Sequence, residues 1–182
     1  MTNDIPPFSA LDLTTDFVRD LRSDHAGEAG AVCIYDGVLT FARQAEVREF
    51  ALTHRKTERS HLAFFDAWLP QHAKSRLLPV WRAAGWLLGA SAAVFGRDAV
   101  FVMVNAVETF VDDHYRRQIE AMRGTEALEP LVAQLEAFRA DECEHRDDAR
   151  LRLGESQPSA STLFGALIGT GSSLGVAIAR RV

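Results

Sequence analysis

One pattern, a lone glutamate followed by a Glu-x-x-His pair, occurs twice in segments that are predicted to be helical. The first copy is Glu28 with Glu58 and His61, where the two glutamates are 30 residues apart. The second copy is Glu108 with Glu142 and His145, where the corresponding separation is 34 residues. A hairpin turn midway in each copy would fall near residues 43 and 125. Each Glu-x-x-His pair would then return to the level of its lone glutamate in a bundle of helices.

The spacing of apolar residues predicts an all-α chain. We expect helices at roughly 15–43, 46–69, 78–95, 97–123, 127–153 and 160–180. In four of these helices, residues typical of a protein core recur at alternating steps of three and four. Such residues form a stripe that faces partner helices in a bundle, and we call this stripe the seam. The sequence therefore predicts a four-helix bundle with two additional apolar helices. We expect a flexible lead-in at residues 1–14 and a single domain at 15–182.

Each seam carries a glutamate near its middle, which is unusual because burying an unpaired carboxylate is very costly. Residues at i and i+3 share one helix face, so Glu-x-x-His directs an oxygen and a nitrogen to one point. A Glu from two helices plus a Glu-x-x-His from each of the other two is the ligand set of di-iron or di-manganese carboxylate bundles. Oxygen and imidazole donors without thiolate favour iron or manganese over structural zinc. The candidate ligands are Glu28, Glu58, His61, Glu108, Glu142 and His145.

Other polar residues lie on or near the seams. His25 and Tyr115 are close enough to the candidate ligands along their helices to hydrogen-bond them. His54 is more simply explained as a polar core residue with a satisfied hydrogen bond. Asp112 and Asp113 either orient a ligand histidine or form a solvated face, and the sequence favours neither.

Composition excludes several classes of protein. A net charge of −5 over 182 residues argues against a nucleic-acid-binding protein, which needs a basic face. The two cysteines, Cys33 and Cys143, are far apart and indicate neither a disulfide framework nor a zinc–thiolate site, so we expect a reducing compartment. The first 18 residues lack Lys and Arg, which is untypical of signal and transit peptides and favours a bacterial source. No G-x-G-x-x-G motif follows a predicted strand.

Two apolar stretches, residues 77–96 and 161–181, have two explanations of equal weight from the residues alone. They could be core helices, or they could be helices that lie on a membrane surface. Neither is an uninterrupted run of the roughly 20 apolar residues that a transmembrane helix needs.

Four motifs resemble those of the demethoxyubiquinone hydroxylases, the di-iron monooxygenases of late ubiquinone biosynthesis. They are "RSDHAGEAGA" (22–31), "ERSHLAFF" (58–65), "AVETFVDDHYRRQI" (106–119) and "FRADECEHRDDA" (138–149). The resemblance extends over nearly the whole chain from about residue 16, and both apolar stretches match in position.

The resemblance implies that the same six residues are iron ligands and that His114 and Tyr115 are catalytic residues beside the two iron ions. Two departures affect the surroundings of the site. Thr109 replaces a second Glu that often follows the third-helix ligand, and "THRKTERSH" lacks the Gln that often precedes the second-helix Glu.

The activity implied by the resemblance is O2-dependent hydroxylation of a demethoxyubiquinone or demethoxyubiquinol ring. Its partners would be a polyprenyl quinone, O2, an electron donor such as NADH, and accessory proteins of ubiquinone biosynthesis. The expected location is peripheral, on the cytoplasmic face of a bacterial inner membrane. One alternative is a ferritin-like iron-storage or peroxide-scavenging protein, and another is a lipid-binding scaffold with a vestigial site.

Overall fold

The computed structural model describes residues 5–154 and 175–181, and these residues contain helices and no β-strand. The five long helices are α1 (Thr15–Phe41), α2 (Ala45–Trp68), α3 (Leu78–Phe95), α4 (Arg97–Met122) and α5 (Glu129–Leu153). The predicted all-α, ferritin-like four-helix bundle is confirmed, with α1, α2, α4 and α5 as its helices. The first additional apolar helix is α3. The second, predicted at 160–180, lies mostly outside the described residues, of which 175–179 are helical.

The bundle consists of two helical hairpins. Residues 42–44 join α1 to α2, and a short 3₁₀ helix at Glu126–Leu128 precedes α5. The turns expected near residues 43 and 125 therefore lie where the sequence placed them. The start of α1 is capped by Thr14, whose hydroxyl oxygen accepts a hydrogen bond from the Phe17 backbone N–H at 3.3 Å. Between α3 and α4 the chain turns at Gly96, whose φ of 107° suits glycine and few other residues.

The apolar core is divided into two clusters, one towards each end of the bundle. The first cluster includes Tyr35, Val38, Phe50, Phe101, Val104 and Leu153. The second includes Leu21, Phe65, Tyr115, Ile119, Leu131 and Leu135. Between the two clusters the interior is lined by buried glutamate and histidine side chains. The apolar clusters supply the hydrophobic stabilisation of the bundle and hold this polar layer away from water.

Helix α3 lies against α1 at backbone contact. A Cβ atom at Gly89 would overlap the carbonyl oxygen of Ile34, and one at Gly85 would overlap that of Gly30. Only glycine permits so close an approach of the two helices. By length and composition α3 is apolar enough to cross a membrane, the one such helix in the described part of the chain, although core helices of soluble proteins meet the same criterion. Only 22 % of its residues are buried.

The described part of the lead-in is attached to the bundle. The Trp68 indole N–H donates a hydrogen bond to the Pro6 carbonyl oxygen at 3.0 Å, and the Phe8 ring meets the Trp68 ring edge-on at 5.4 Å. Ile5, Leu11 and Leu13 also pack against the second apolar cluster. Apolar contacts therefore join the described lead-in to the bundle, and its expected flexibility stays a prediction. The domain boundary near residue 14 stays a prediction.

Candidate metal centre and the adjoining cavity

The two Glu-x-x-His pairs and the two lone glutamates point into the polar layer between the apolar clusters. Each of the six side chains belongs to a residue that is at most 4 % exposed. The hairpin geometry brings them to one level, because each pair lies the same number of turns from the loop as its lone glutamate. The six residues are Glu28 on α1, Glu58 and His61 on α2, Glu108 on α4, and Glu142 and His145 on α5.

These residues form two overlapping groups that could each hold a metal ion. In each group the ligand atoms lie within 4.8 Å of one another. Glu58 and Glu142 belong to both groups, so their two carboxylate oxygens could serve neighbouring ions. The first group is completed by Glu28 and His61, and the second is completed by Glu108 and His145.

Both histidines direct Nδ1 towards these carboxylates. His61 Nδ1 lies 3.1 Å from Glu142 Oε1, and His145 Nδ1 lies 3.0 Å from Glu58 Oε1. Despite these distances, both Nδ1 atoms, together with Glu28 Oε2 and Glu58 Oε1, have no hydrogen bond of acceptable geometry. Buried polar atoms without partners are rare in folded proteins. Here four such atoms lie around one point, and bound cations would satisfy all four.

Burial and mutual repulsion oppose ionisation of two of the carboxyl groups. Burial and the neighbouring Glu142 raise the pKa of Glu58 to about 8. The same two causes raise the pKa of Glu108 well above its usual value. The pKa of Glu142 is instead lowered to about 2, because His145 and His61 outweigh the effect of burial. In the absence of metal, the layer can keep its negative charge low only by holding protons.

The two histidines hold protons in the same way. Burial alone would lower their pKa values, but the neighbouring carboxylates outweigh it. Glu142 and Glu28 raise the pKa of His61 to about 12. Glu142 and Glu58 raise the pKa of His145 to about 11. Divalent cations would replace these protons as the positive charge of the layer.

The candidate ligands are themselves held by neighbouring side chains. His61 Nε2 lies 2.9 Å from Asp141 Oδ2, an arrangement that fixes the ring with Nδ1 turned inward. The Tyr115 hydroxyl donates a hydrogen bond to Glu28 Oε1 at 2.6 Å. The ring of His145 packs against the ring of His54, with centroids 4.3 Å apart. His54 is itself bonded to a carboxylate, with Nε2 2.9 Å from Asp148 Oδ2, as expected for a satisfied polar core residue.

Other candidate supporting residues lie elsewhere. His25 does not bond a candidate ligand, because its Nε2 lies 2.9 Å from Asp66 Oδ1. Asp112 and Asp113 bind arginines of α4 and α5 instead of a ligand histidine. In the described ranges neither aspartate contacts a ligand histidine; Asp113 lies on a solvated face, whereas Asp112 is mostly buried by its arginine partners.

A cavity of about 500 Å³ opens beside the polar layer. Its walls are mostly apolar and come from α1, α3, α4 and residues 175–179, with Ile34, Trp81, Leu88 and Val111 among them. Four of the candidate ligands also contribute to its lining, and these are Glu28, Glu58, Glu108 and Glu142. A molecule in this cavity would therefore touch both apolar side chains and carboxylates of the candidate ligands.

His114 and Tyr115 both line the cavity, but they differ in their contacts. Tyr115 touches a candidate ligand, whereas His114 Nε2 lies 2.9 Å from Asp24 Oδ1. Sequence reasoning did not identify Asp24 or Asp141. Both had a usable signal, because Asp24 lies one helical turn before Glu28 and Asp141 directly precedes Glu142.

Comparisons with known proteins agree with this geometry. The family model described as "Ubiquinone biosynthesis protein COQ7" matches residues 16–179. A 3-demethoxyubiquinol 3-hydroxylase of Rhodospirillum rubrum is 37 % identical over 167 residues, covering 90 % of this chain and 77 % of the relative. An NADPH-dependent 3-demethoxyubiquinone 3-hydroxylase, mitochondrial, of Rattus norvegicus is 32 % identical, covering 88 % of this chain and 76 % of the relative. The family indicated by the four motifs is confirmed: the chain belongs to the COQ7 family of ubiquinone biosynthesis proteins.

Proposed function

We propose that this protein is an O2-dependent di-iron monooxygenase that hydroxylates the ring of a demethoxyubiquinone or demethoxyubiquinol. The observation that carries the proposal is the mostly apolar cavity whose lining includes four candidate metal ligands. A hydroxylase needs such a connection, since the substrate ring must reach the metal centre while bulk water is kept out. The names of the relatives support this activity over iron storage or peroxide scavenging.

Two iron ions are the cofactor that best fits the six residues. The groups supply carboxylate oxygens and imidazole nitrogens without a thiolate, a donor set that suits iron or manganese. Iron bound by these residues would supply the activation of O2. The protein would hold the ligands in place, because Asp141 fixes the ring of His61 and Tyr115 holds a carboxylate oxygen of Glu28.

The cavity would bind the aromatic head of the substrate. Its walls carry little polar surface apart from the carboxylates and a short polar strip at Ser23 and His114. A ring with methyl and methoxy substituents would fit the apolar part, and its polar groups would meet this strip. We assign His114 and Tyr115 as the residues beside the ring.

Replacement of Glu142 by Ala tests the metal assignment and the activity together. We expect Glu142→Ala to abolish iron loading and hydroxylation, because Glu142 belongs to both metal-binding groups. Glu144→Ala is the matched control, since Glu144 is exposed on the same helix. The readouts are iron content and the mass of the product formed under ¹⁸O2 with a short-tailed substrate. Hydroxylation that survives in Glu142→Ala would refute the ligand assignment.

Peripheral membrane binding through α3, on the cytoplasmic face of a bacterial inner membrane, is part of the proposal. Leu87, Val94 and Phe95 are exposed on this helix, with Phe95 80 % exposed. A substrate with a polyprenyl tail is insoluble in water, so a site beside such a surface would let the tail stay in lipid.

Vesicle flotation tests the membrane surface. Leu87→Glu should reduce the fraction of protein that floats with anionic phospholipid vesicles, because a charge would then face the acyl chains. Leu52→Glu is the control, since Leu52 is a comparably exposed leucine on α2. An equal fraction of floating protein for both variants would exclude α3 as the membrane-binding surface.

The proposal also covers the source of electrons and the assembly. Because several relatives are named as NADPH-dependent, we propose a reduced nicotinamide, NADH or NADPH, as the electron source. Binding to accessory proteins of ubiquinone biosynthesis is also proposed. Native mass addresses the storage alternative, since a large hollow oligomer would favour iron storage.

A further inference from the structure

Tyr35 on α1 carries a buried hydroxyl group that the proposed function does not use. Its residue is 1 % exposed, and within the described part of the chain the hydroxyl oxygen has no hydrogen-bond partner. Burial raises the pKa of this hydroxyl well above its usual value, and Glu108 adds most among the neighbouring charges. The hydroxyl therefore keeps its hydrogen and can donate it. A buried donor without an acceptor is costly and rare, so Tyr35 calls for a physical explanation.

The position of Tyr35 extends the internal repeat of the chain. Tyr35 follows Glu28 by seven residues, and Tyr115 follows Glu108 by the same seven. Seven residues are close to two helical turns, so each tyrosine shares a helix face with the lone glutamate of its own copy. Long side chains on a helix lean towards its N-terminus, which brings both rings back towards the polar layer.

Helices α1 and α4 run in opposite directions. Leu21, near the start of α1, lies in the same apolar cluster as Ile119, near the end of α4. Tyr115 belongs to this second cluster, whereas Tyr35 belongs to the first. The two tyrosines therefore lie on opposite sides of the polar layer, and the two copies of the repeat are related by an approximate twofold axis.

One half of this arrangement is already hydrogen-bonded. Tyr115 on α4 donates to Glu28 Oε1 on α1 at 2.6 Å. The corresponding acceptor for Tyr35 on α1 is the lone glutamate of the other copy, Glu108 on α4. Tyr35 also lies beside the metal-binding group to which Glu108 belongs, since its ring meets the ring of His145 edge-on with centroids 6.5 Å apart.

We propose that Tyr35 is a positioning residue whose hydroxyl donates a hydrogen bond to Glu108 when the group that contains Glu108 and His145 holds its metal ion. The inference rests on the metal assignment in the proposed function. Each lone glutamate would then be held by a tyrosine of the facing helix, with one such bond for each metal-binding group. The bond would fix one oxygen of Glu108 and leave the other for the ion, so its loss should lower the metal affinity of that group alone.

Metal binding by two matched variants tests the proposal. Tyr35→Phe should weaken Mn(II) binding at one of the two sites by about 10–100-fold, the usual effect of losing an outer hydrogen bond to a metal ligand. Tyr115→Phe should weaken the other site, and the double variant should weaken both. Isothermal titration calorimetry on the full chain measures the two affinities. Unchanged affinities in Tyr35→Phe, or a double variant with only one weakened site, would overturn the proposal.

Thermal stability without metal separates positioning from packing. Tyr35→Phe removes a hydroxyl that has no partner, so the melting temperature in the presence of a chelator should stay the same or rise. Tyr115→Phe breaks an existing hydrogen bond, so its melting temperature should fall. A fall in Tyr35→Phe as large as that in Tyr115→Phe would show that Tyr35 acts through packing and would refute the proposal.

A crystal structure of the full chain loaded with Mn(II) measures the bond directly. We expect Tyr35 Oη at roughly 2.5–3.0 Å from an oxygen of Glu108. A bond from Tyr35 to Glu58 instead, or to no candidate ligand, would overturn the proposal. Wild-type protein that binds two ions without the bond to Glu108 would refute this inference alone, whereas wild-type protein that binds no metal would refute the metal centre of the proposed function.

Discussion

At the scale of the residue, the two candidate histidine ligands have different supports. His61 Nε2 is bound by the Asp141 carboxylate, which holds the ring and makes Nδ1 a stronger donor to a metal ion. His145 has no such carboxylate on Nε2 among the residues that the structure describes, and its ring packs on His54. The two metal-binding groups are therefore expected to differ in affinity, and the group that contains His61 should bind more tightly.

The first prediction concerns this support. Asp141→Asn should weaken metal binding at one of two sites by roughly 10–100-fold, the usual effect of losing an outer carboxylate on a ligand histidine. Isothermal titration calorimetry with Mn(II) measures the affinity of each site. Asp147→Asn, on the exposed face of the same helix, serves as the control. Equal weakening at both sites, or no change, would contradict the assigned role of Asp141.

The second prediction concerns protons. With pKa values of about 12 and about 11, His61 and His145 are protonated in the metal-free protein at pH 7. Metal ions bind the deprotonated groups, so loading should release at least the two histidine protons, and affinity should rise as the pH rises. Calorimetry in two buffers with different ionisation enthalpies counts the protons. If no protons are released on metal binding, the layer is not protonated in the metal-free protein, and the prediction is wrong.

Individual residues also show how far sequence reasoning reaches. The six candidate ligands could be located from spacing alone, because inward-facing positions recur with the helical period and a glutamate among them is conspicuous. Asp24 and Asp141 are adjacent to candidate ligands in sequence or on the helix face, but their bonding partners could not be inferred from spacing, since these partners lie on other helices and depend on side-chain rotamers. The same limit applies to His25, whose bond to Asp66 joins α1 to α2.

At the scale of the element, the contact between α1 and α3 determines the shape of the cavity. Gly30 and Ile34 on α1 and Gly85 and Leu88 on α3 all line it, and glycines allow the two backbones to touch. The sequence predicted α3 at its observed bounds, 78–95, but gave no partner for it. The signal was present in the Gly85–Gly89 spacing of four, which places both glycines on one face of the helix.

The third prediction concerns this contact. Gly89→Ala should destabilise the protein by about 1–3 kcal/mol, because the added methyl group must push α3 away from the Ile34 carbonyl. Gly27→Ala is the matched control, since nothing lies within 4 Å of its added Cβ, and alanine in a helix is favoured by about 0.5–1 kcal/mol. Thermal unfolding measures both, and an equal or higher melting temperature for Gly89→Ala would contradict the close contact.

At the scale of the whole molecule, the fold consists of two apolar clusters separated by a charged layer. The clusters hold four helices around buried carboxylates, which cations would neutralise. The cavity lies beside this layer and is lined in part by α3, a helix that also carries exposed apolar residues. Under the proposed function, metal and aromatic ring would be bound side by side, each in surroundings of matching polarity.

The most direct test of the central claim is an anomalous difference map, recorded at the iron absorption edge from crystals of the full chain grown anaerobically with Fe(II). We expect two peaks per chain, one within each of the overlapping groups that share Glu58 and Glu142. Iron found only at surface carboxylates, or crystals of a folded bundle without iron between the two apolar clusters, would contradict the account.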